Sequence, residues 1–200
     1  MKHEKLIQAL THKGYKVSYF ETPDDAVKYL VDTVNGVTVG FGDSATLASM
    51  NLAVLLSKNN TVINPASHSG AEFLELGKKA LLTDVFFTSV NGVAETGELV
   101  NIDGTGNRVA GSIFGHKRVF FVFSTNKIEP TLEKAIWRAR NIAAPKNAKR
   151  FGFKTPCAVK GDRCYDCSSP DRICNTLNIH FKKIKNVEAE AIIIDQEMGM

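Results

Sequence analysis

The stretch VTVGFGDSATLASM, residues 37–50, combines a short apolar run, two glycines and the typical beginning of a helix. The apolar run at residues 37–40 predicts a strand, and the apolar spacing over residues 45–56 predicts the helix that follows it. Ser44 lies at the N-cap position, where a hydroxyl can accept a hydrogen bond from a free backbone N–H of the first turn. The stretch therefore predicts a strand–turn–helix unit, the repeating element of an α/β fold.

The same alternation continues in both directions along the chain. The run VFFVF at residues 119–123 predicts a strand that is buried on both faces, as in a parallel sheet. Pro145 is expected to end one helix and Ser169 to begin another, short one. Further strands are predicted at residues 15–20, 61–64, 85–89, 177–181 and 190–194, and further helices at 3–13, 22–34, 71–82 and 131–144. We therefore expect a three-layer α/β/α architecture around a mostly parallel sheet.

Composition places the chain among ordinary globular proteins. It has 200 residues, 44% of them hydrophobic and 23% charged, with a formal net charge of +4. We expect a single domain over residues 1–200: an α/β core at 1–150, a cysteine-rich metal-binding segment at 151–176 and closing strands at 177–200. No apolar run approaches the roughly 18 residues of a membrane span. The charged N-terminus does not resemble a secretory signal, so we expect a cytoplasmic protein.

The basic residues predict no nucleic-acid partner. Lys146, Lys149, Arg150 and Lys154 form a basic run, but stacking aromatic residues are not interleaved with it beyond Phe151 and Phe153. We interpret the run as a solvated face. Surface apolar residues show no clear dimer stripe, so the oligomeric state stays open.

The turn in residues 39–46 is the first candidate ligand site. A glycine-rich turn brings backbone N–H groups close to a ligand, and a helix N-terminus favours negative charge. The turn therefore predicts a site for a phosphate or carboxylate; a tight turn in which Ser44 only caps the helix is the alternative. The motif matches neither the P-loop nor the dinucleotide fingerprint, so no NAD or flavin site is expected. The candidate ligand-binding residues are Gly40, Gly42, Asp43, Ser44 and Thr46.

The second candidate is TSVNGVAETGELVNIDGTGNRVA, residues 88–110, which predicts a turn-rich hairpin or loop after a strand. In open α/β sheets, ligands collect at the carboxyl ends of the strands. Glu95 is the residue here with the charge and reach of a nucleophile or general base; the alternative is a solvated hairpin carboxylate. Asn101 and Asp103 could instead be turn residues that bond their own backbone. The candidate ligand-binding residues are Asn91, Asn101, Asp103, Gly104 and Asn107.

Together these segments resemble a known family. GFGDSATL is similar to the ligand loop of the ribose-phosphate isomerase and CoA-transferase-like fold. GDSATL, NGVAETGELV, GNRVA, FGHKRVFFVFSTNKI and a helix ending IAAPKN resemble the lactate-utilisation domain family, a branch of that fold. The resemblance covers residues 37–147, and the cysteine-bearing tail resembles one subgroup. It implies an accessory role in oxidising lactate and related 2-hydroxy acids, with iron–sulfur partner proteins.

The resemblance also bears on chemistry. Asn91 occupies the position of the isomerases' catalytic aspartate, and an amide cannot take a proton from a sugar carbon, so isomerisation of that type is not expected. CoA-transferases of this fold use a glutamate nucleophile in a comparable loop. Glu95 is the nearest analogue, although the residues around it do not match that motif. Acyl transfer is therefore an alternative hypothesis, and whether the protein is an enzyme stays open.

The cysteines form the third candidate site: Cys157, Cys164, Cys167 and Cys174. Two thiolates separated by two residues can bind one metal, and two flanking cysteines can complete a tetrahedral set for zinc or an iron–sulfur cluster. The redox setting of the family favours a four-iron cluster. Reduced structural thiols or a redox-active Cys164–Cys167 pair are the alternatives. An iron–sulfur electron-transfer or scaffold subunit without its own active site is accordingly a further functional hypothesis.

Overall fold

A computed structural model describes residues 2–200 of the chain. Its main sheet has six strands in the order β1-β10-β7-β4-β2-β3, and all neighbouring pairs are parallel. The strands in chain order are β1 Lys16–Phe20, β2 Thr38–Phe41, β3 Thr61–Ile63, β4 Val85–Thr88, β5 Gly92–Ala94, β6 Leu99–Asp103, β7 Arg118–Ser124, β8 Ile128–Glu129, β9 Thr176–His180 and β10 Glu188–Ile194. The predicted mostly parallel sheet is therefore confirmed.

Helices cover both faces of this sheet and complete the three layers. The α-helices in chain order are α1 Glu4–His12, α2 Pro23–Thr33, α3 Ala45–Ser49, α4 Leu52–Leu56, α5 Gly70–Ala80, α6 Asn107–Ile113, α7 Leu132–Arg138, α8 Ala144–Arg150 and α9 Pro156–Lys160. None of the helices within residues 2–200 has the length and apolar character needed to cross a membrane. The expected three-layer α/β architecture is confirmed.

Strand β7 shows how the sheet separates two cores. Phe120 and Val122 pack on one face with apolar residues of α2, α3 and α4. Phe121 and Phe123 pack on the other face with residues of α1 and of the β5–β6 hairpin. Successive side chains of a strand point to opposite faces, so the continuous apolar run fills both cores at once.

A second, smaller sheet has the order β8-β5-β6-β9. The predicted turn-rich hairpin at residues 92–106 supplies its antiparallel β5 and β6. Strand β9 pairs antiparallel with β6, so one of the two predicted closing strands lies in this sheet. The other, β10, lies between β1 and β7 in the main sheet.

Two helix predictions were wrong in detail. The predicted helix 45–56 is divided into α3 and α4, because Asn51 adopts a left-handed conformation with φ 51°. Asparagine tolerates this conformation better than most residues. Pro145 does not end a helix: a π-helical turn, Ala139–Ala143, precedes it and the helix continues as α8. The wider turn relieves the clash between a proline ring and the carbonyl four residues before it.

The cysteine-rich segment also differs from its prediction. The segment contains one short helix, α9, which was not predicted. Its N-cap is Thr155, whose Oγ1 accepts a hydrogen bond from the N–H of Ala158, and Pro156 occupies the first helical position. Residues from Ser169 onward form a turn and extended chain instead of the expected helix. The segment returns to the core through a hydrogen bond from Asn175 N to Asp103 O at 3.0 Å.

Candidate functional site

A cavity of about 330 Å³ lies at the carboxyl ends of β2, β4 and β7, three neighbouring strands of the main sheet. This edge of a parallel sheet is where ligands bind in open α/β folds. The turn after β2, the β5–β6 hairpin and the helical segment around α8 form its walls. The polar and charged residues that line it are Asp43, Ser44, Thr46, His68, Ser69, Ser89, Asn91, Asp103, Thr105, Asn107, Arg108, Lys127, Asn147 and Arg150.

The three polar residues of the turn after β2, Asp43, Ser44 and Thr46, line the cavity. Ser44 caps α3, since its Oγ accepts a hydrogen bond from Leu47 N at 3.3 Å. Thr46 lies in the first turn of that helix and is almost fully buried. Asp43 faces Arg150, with 3.9 Å between Oδ2 and Nη2. The turn therefore contributes both a helix cap and part of the cavity wall.

Lys127 is the charged group with the most unusual surroundings in the cavity. It is the last residue of the short turn Thr125–Lys127 that follows β7, and the residue is only 3% exposed. Its Nζ donates hydrogen bonds to Thr46 Oγ1 at 2.8 Å and to Ser89 Oγ at 3.0 Å. No carboxylate within residues 2–200 lies within 4.0 Å of this nitrogen. A buried amine held by two hydroxyl groups is thus left without a neutralising charge.

The surroundings of Lys127 disfavour its charged form. Burial, and then the nearby guanidinium groups of Arg138 and Arg108, lower the pKa of Lys127 from 10.5 to about 7. Desolvation penalises an ammonium, and like charges add to that penalty. An anion placed beside these groups would remove much of the penalty. The electrostatics therefore favour a negatively charged ligand.

Arg108, on α6, supplies a second cation to the cavity wall. One of its guanidinium nitrogens, Nη2, donates a hydrogen bond to Ile102 O, and it makes no ion pair with a carboxylate of residues 2–200. Its side chain passes over Gly42, where an added Cβ would lie 2.8 Å from the Arg108 Cγ. Glycine at this position gives the arginine its path. Gly42 therefore packs beneath the Arg108 side chain, and it is Arg108 that lines the cavity.

Arg138 braces the site from behind. Its Nε donates to Asn126 O at 3.0 Å, and its Nη1 donates to Asn91 O at 2.6 Å and to Met200 O at 3.2 Å. Arg138 is buried, and its Nε lies 3.9 Å from Glu129 Oε1. Arg138 therefore connects the loops that follow β4 and β7 with the C-terminal segment, here meaning Met198–Met200.

The C-terminal segment lies over Lys127. Met198 N donates a hydrogen bond to Ser124 Oγ, and that hydroxyl donates to Met198 O at 2.9 Å. A Cβ added to Gly199 would lie 2.4 Å from Thr46 Oγ1 and 3.4 Å from Lys127 Nζ. Backbone therefore packs directly against the hydroxyl and the amine, which explains part of the burial of Lys127.

Four predicted residues of the hairpin segment line the cavity, and two of them also accept structural hydrogen bonds from backbone N–H groups. Asn91 lines the cavity, but its Oδ1 accepts a hydrogen bond from Ile102 N at 2.8 Å and so holds the hairpin together. Asp103 lines the cavity and its Oδ2 accepts from Val109 N at 3.0 Å, in the first turn of α6. Gly104 and Asn107 also line the cavity.

Besides Gly42, three predicted residues do not line the cavity. Gly40 allows close packing of β2 on α5, because an added Cβ would lie 2.4 Å from Ala80 O. Asn101 is buried in β6, opposite Asn178 of β9. Glu95 lies at the far end of the hairpin, where its Oε2 accepts from Lys5 Nζ at 2.9 Å. Glu95 therefore does not share a cavity with the glycine turn.

Lys127, Arg108 and Ser89 contribute to the site, although sequence reasoning did not select them. Ser89 comes directly after β4, and Lys127 ends the short turn that follows β7. Polar residues just beyond buried parallel strands were the signal that could have found them. Arg108 stands inside GNRVA, a motif in which only the asparagine was selected.

The four cysteines lie apart from the cavity lining, although Ile173, beside Cys174, contributes to it. All four thiols are free and half-buried. Cys164 and Cys167 are near enough to Cys174 to raise the pKa of its thiol, although burial is the larger cause. Within residues 2–200 no group of three or more His, Cys, Asp or Glu side chains is arranged to hold a metal ion.

Comparison with known proteins identifies the family of the chain. A family profile described as LUD domain matches residues 3–194. No curated protein matches the chain. In a search of solved structures, the crystal structure of a DUF162 family protein from Deinococcus radiodurans has a similar fold: the TM-score is 0.50 at 12% identity, covering 97% of this chain and 99% of that one. The chain therefore belongs to the LUD domain family, which confirms the resemblance to lactate-utilisation proteins carried by its motifs.

Proposed function

We propose that this lactate-utilisation-type protein binds a small carboxylate or phosphate compound in the cavity at the carboxyl ends of β2, β4 and β7. One observation carries the proposal: Lys127 is buried on the cavity wall without a carboxylate partner in residues 2–200. Buried charges in proteins are normally paired, because an isolated one costs several kcal/mol. An anionic ligand supplies the missing partner.

The balance of charge in the cavity supports an anion. Lys127 and Arg108 have no ion-pair partner among the described residues, whereas Arg150 already faces Asp43. Asp103 is occupied by a backbone N–H of α6. The two free cations therefore set the sign of the ligand charge. Hydroxyl groups of Thr46 and Ser89 add directional partners beside the amine.

The size of the cavity supports a small ligand. A volume of about 330 Å³ lies at the low end of the roughly 300–1,000 Å³ found for ligand pockets. A three-carbon acid or a sugar phosphate suits this space better than a dinucleotide. This fits the accessory role in 2-hydroxy-acid oxidation that we propose, with iron–sulfur proteins as partners and the cytoplasm as the location.

Acyl transfer through Glu95 is not part of the proposal. A nucleophile has to reach the bound substrate, and Glu95 lies outside the cavity and pairs with Lys5.

Calorimetric titration tests the anion proposal. The probes are lactate, pyruvate, inorganic phosphate, a sugar phosphate and a CoA ester. Lys127→Met is expected to weaken binding of the recognised anion about tenfold or more, because a hydrogen bond to a charged group contributes about 1.5–3 kcal/mol. Arg108→Gln is expected to weaken it as well. Lys58→Met is the matched control, since Lys58 is an exposed lysine remote from the cavity.

Two results would contradict the proposal. One is that none of the probes binds to the wild-type protein. The other is binding that Lys58→Met weakens as much as Lys127→Met does. Circular dichroism and thermal unfolding of each variant establish that a lost affinity does not come from a lost fold.

We also propose metal binding by the cysteine-rich segment, as a second and separate function. The supporting observation is that the thiols of Cys164, Cys167 and Cys174 interact electrostatically, so the three share one neighbourhood. Arg140 Nη2 lies 4.0 Å from Cys164 Sγ. The neighbouring Cys174 and Asp166 raise the pKa of the Arg172 guanidinium, which places this cation beside the thiols. Arg172 acts to lower the pKa of the Cys174 thiol and so favours the thiolate, the form that binds metal, although burial keeps that pKa above its usual value.

The described thiols do not form a closed ligand set, so metal binding would require the loop between α9 and β9 to bring them together. Metal analysis and visible absorbance of anaerobically purified protein test this function. Stoichiometric zinc or a brown iron–sulfur chromophore, lost in Cys164→Ser and Cys167→Ser, is the expected result. Metal-free protein with four titratable thiols after reconstitution contradicts it and supports reduced structural cysteines.

A further inference from the structure

We propose that Lys127 forms an imine with small aldehydes or ketones that also carry a carboxylate or phosphate group. The inference rests on the proposed function, since the anionic group of the same ligand occupies the same cavity. It goes further by assigning a covalent step to a named atom, Lys127 Nζ. The argument combines the position of this amine, its partners and its charge state.

The position of Lys127 on the cavity wall is the first feature that supports an imine. The residue lines the cavity, yet only 3% of it is exposed, so bulk water has little access. Its hydrogen-bond partners within residues 2–200 are the hydroxyls of Thr46 and Ser89. A hydroxyl can donate as well as accept, so it can bond the neutral amine or receive its proton. The anionic group of the ligand is assigned to Arg108, which leaves Lys127 Nζ to meet the carbonyl carbon.

At neutral pH a large fraction of the Lys127 side chain is the neutral amine, whose nitrogen has a free lone pair. The groups facing Lys127 are Arg108 from α6, Arg138 from α7, the two hydroxyls and the uncharged backbone of Gly199. With burial, the two arginines lower the pKa of Lys127 to about 7. The neutral fraction at pH 7.5 is then on the order of a thousandfold that of an ordinary lysine. Desolvated lysines beside other cations serve as Schiff-base nucleophiles in enzymes.

The covalent step balances without an external redox agent. The Nζ lone pair attacks the carbonyl carbon, and the C=O π bond becomes an alkoxide that takes a proton to give a carbinolamine. Loss of the hydroxyl as water, with one further proton, leaves a protonated C=N bond to Lys127. Ser89 and Thr46 are the positioning residues that can pass these protons, since both hydroxyls contact Nζ.

The remaining groups of the cavity define the ligand class. Arg108 provides a planar guanidinium for the anionic end of the ligand, and guanidinium groups bind carboxylates and phosphates in this way. The carbonyl must then lie within a short molecule's reach of that anion. A 2-oxo acid or a ketose phosphate of few carbons has both groups. An alcohol of the same size, such as a 2-hydroxy acid, can bind but cannot form an imine.

Borohydride trapping tests the inference on the full chain. The protein is incubated with pyruvate or with dihydroxyacetone phosphate, and borohydride then reduces any imine to a stable secondary amine. Intact mass and peptide mapping locate the product. We expect one adduct per chain, on the peptide that contains Lys127, formed at least about tenfold faster than on the Lys58 peptide. Lactate and glycerol 3-phosphate, which lack the carbonyl, are expected to give no adduct.

The variants separate a reactive amine from a structural one. Lys127→Met is expected to abolish the adduct. Ser89→Ala keeps the lysine and removes one hydroxyl, so trapping is expected to slow several-fold and its pH midpoint to move away from about 7. A fold defect would lower trapping at every pH without moving the midpoint. Circular dichroism of both variants accompanies the trapping.

The outcomes distinguish this inference from the proposed function. If pyruvate binds in a manner that depends on Lys127 and Arg108 but is never trapped there, the imine is overturned and anion binding stands. If the anions fail to bind and nothing is trapped, both proposals are overturned. Equal labelling of Lys127 and of exposed lysines also overturns the imine.

Discussion

The two ends of the main sheet each bury a charged side chain, and they treat it in opposite ways. At the amino end, Glu190 of β10 is 1% exposed and accepts hydrogen bonds from Ser18, Tyr29 and Arg118. At the carboxyl end, Lys127 is buried to a similar degree with two hydroxyl partners and no opposite charge in residues 2–200. A buried charge that its neighbours neutralise is accommodated within the fold, whereas the uncompensated one is the observation behind the ligand site that we propose.

The pKa values express the same contrast. Burial raises the pKa of the Glu190 carboxyl, but the hydrogen bonds from Ser18, Tyr29 and Arg118 together outweigh burial and leave it below its usual range. For Lys127 the neighbouring guanidinium groups add to the effect of burial. The neighbours of Glu190 therefore oppose the effect of burial on its pKa, whereas the neighbours of Lys127 add to that effect. Substitutions at the two ends should therefore affect stability and binding differently.

The largest effect is expected for Glu190→Gln. The change removes the carboxylate that neutralises Arg118 and Lys16, and breaking one partner of a buried ion pair costs about 3–5 kcal/mol. We expect a loss of about 3 kcal/mol in the free energy of unfolding, measured with urea. Glu188→Gln, an exposed position on the same strand, is the control and should change it little. Equal stability of the two variants would contradict the structural role assigned to Glu190.

The second effect is a pH dependence that comes from Lys127. The folded protein holds the Lys127 pKa at about 7, whereas an unfolded lysine ionises near 10.5. Between these values the unfolded chain binds more protons, so stability rises with pH; below about 7 both states are protonated and the slope vanishes. Wild type is expected to gain about 2 kcal/mol relative to Lys127→Met between pH 7 and pH 9.

Urea unfolding of both proteins at several pH values measures this difference. Parallel stability curves for wild type and Lys127→Met would show that the lysine is solvated in solution. That result would remove the contrast between the two ends of the sheet.

The third effect comes from the path of Arg108 over Gly42. Gly42→Ala places a Cβ about 2.8 Å from the Arg108 Cγ, which a flexible side chain can avoid by moving. We expect anion affinity to fall about tenfold while the free energy of unfolding changes by about 1 kcal/mol. Calorimetry of Gly42→Ala, Arg108→Gln and the double variant forms a cycle. Additive losses would indicate that the glycine acts without the arginine.

The smallest effect is expected for Glu95→Gln at the tip of the hairpin. Glu95 pairs with Lys5 at the surface, and such pairs contribute about 0–1 kcal/mol. Anion affinity should stay unchanged because Glu95 does not line the cavity. A tenfold loss of affinity in the same titration would return the hairpin tip to the functional site.

Local sequence signals predicted much of this fold. The helix at residues 22–34, the apolar run of β7 and the strand–turn–helix unit around Ser44 all depend on neighbouring residues, and the structure confirms each. Two helix predictions were wrong because the backbone adopts a local conformation that the neighbouring sequence does not indicate. Asn51 in its left-handed conformation and the π-helical turn before Pro145 are both of this kind.

The candidate site was less predictable because it depends on long-range contacts. Lys127 gains its properties from Thr46 and Ser89, which are 81 and 38 residues away in sequence. Glu95, which does not line the cavity, pairs with Lys5, 90 residues away. Charge, loop composition and reach were visible in the chain, whereas burial and the sign of the neighbouring charges follow only from how the elements pack.

The C-terminal segment gives this site one more property. Gly199 lies against Thr46 and Lys127, and Met200 accepts a hydrogen bond from Arg138. Lifting these few residues would admit water to the amine and return it toward its ordinary basicity. The pKa of Lys127 would therefore depend on the position of the C-terminal segment, and a titration that follows this amine would detect a displacement of that segment.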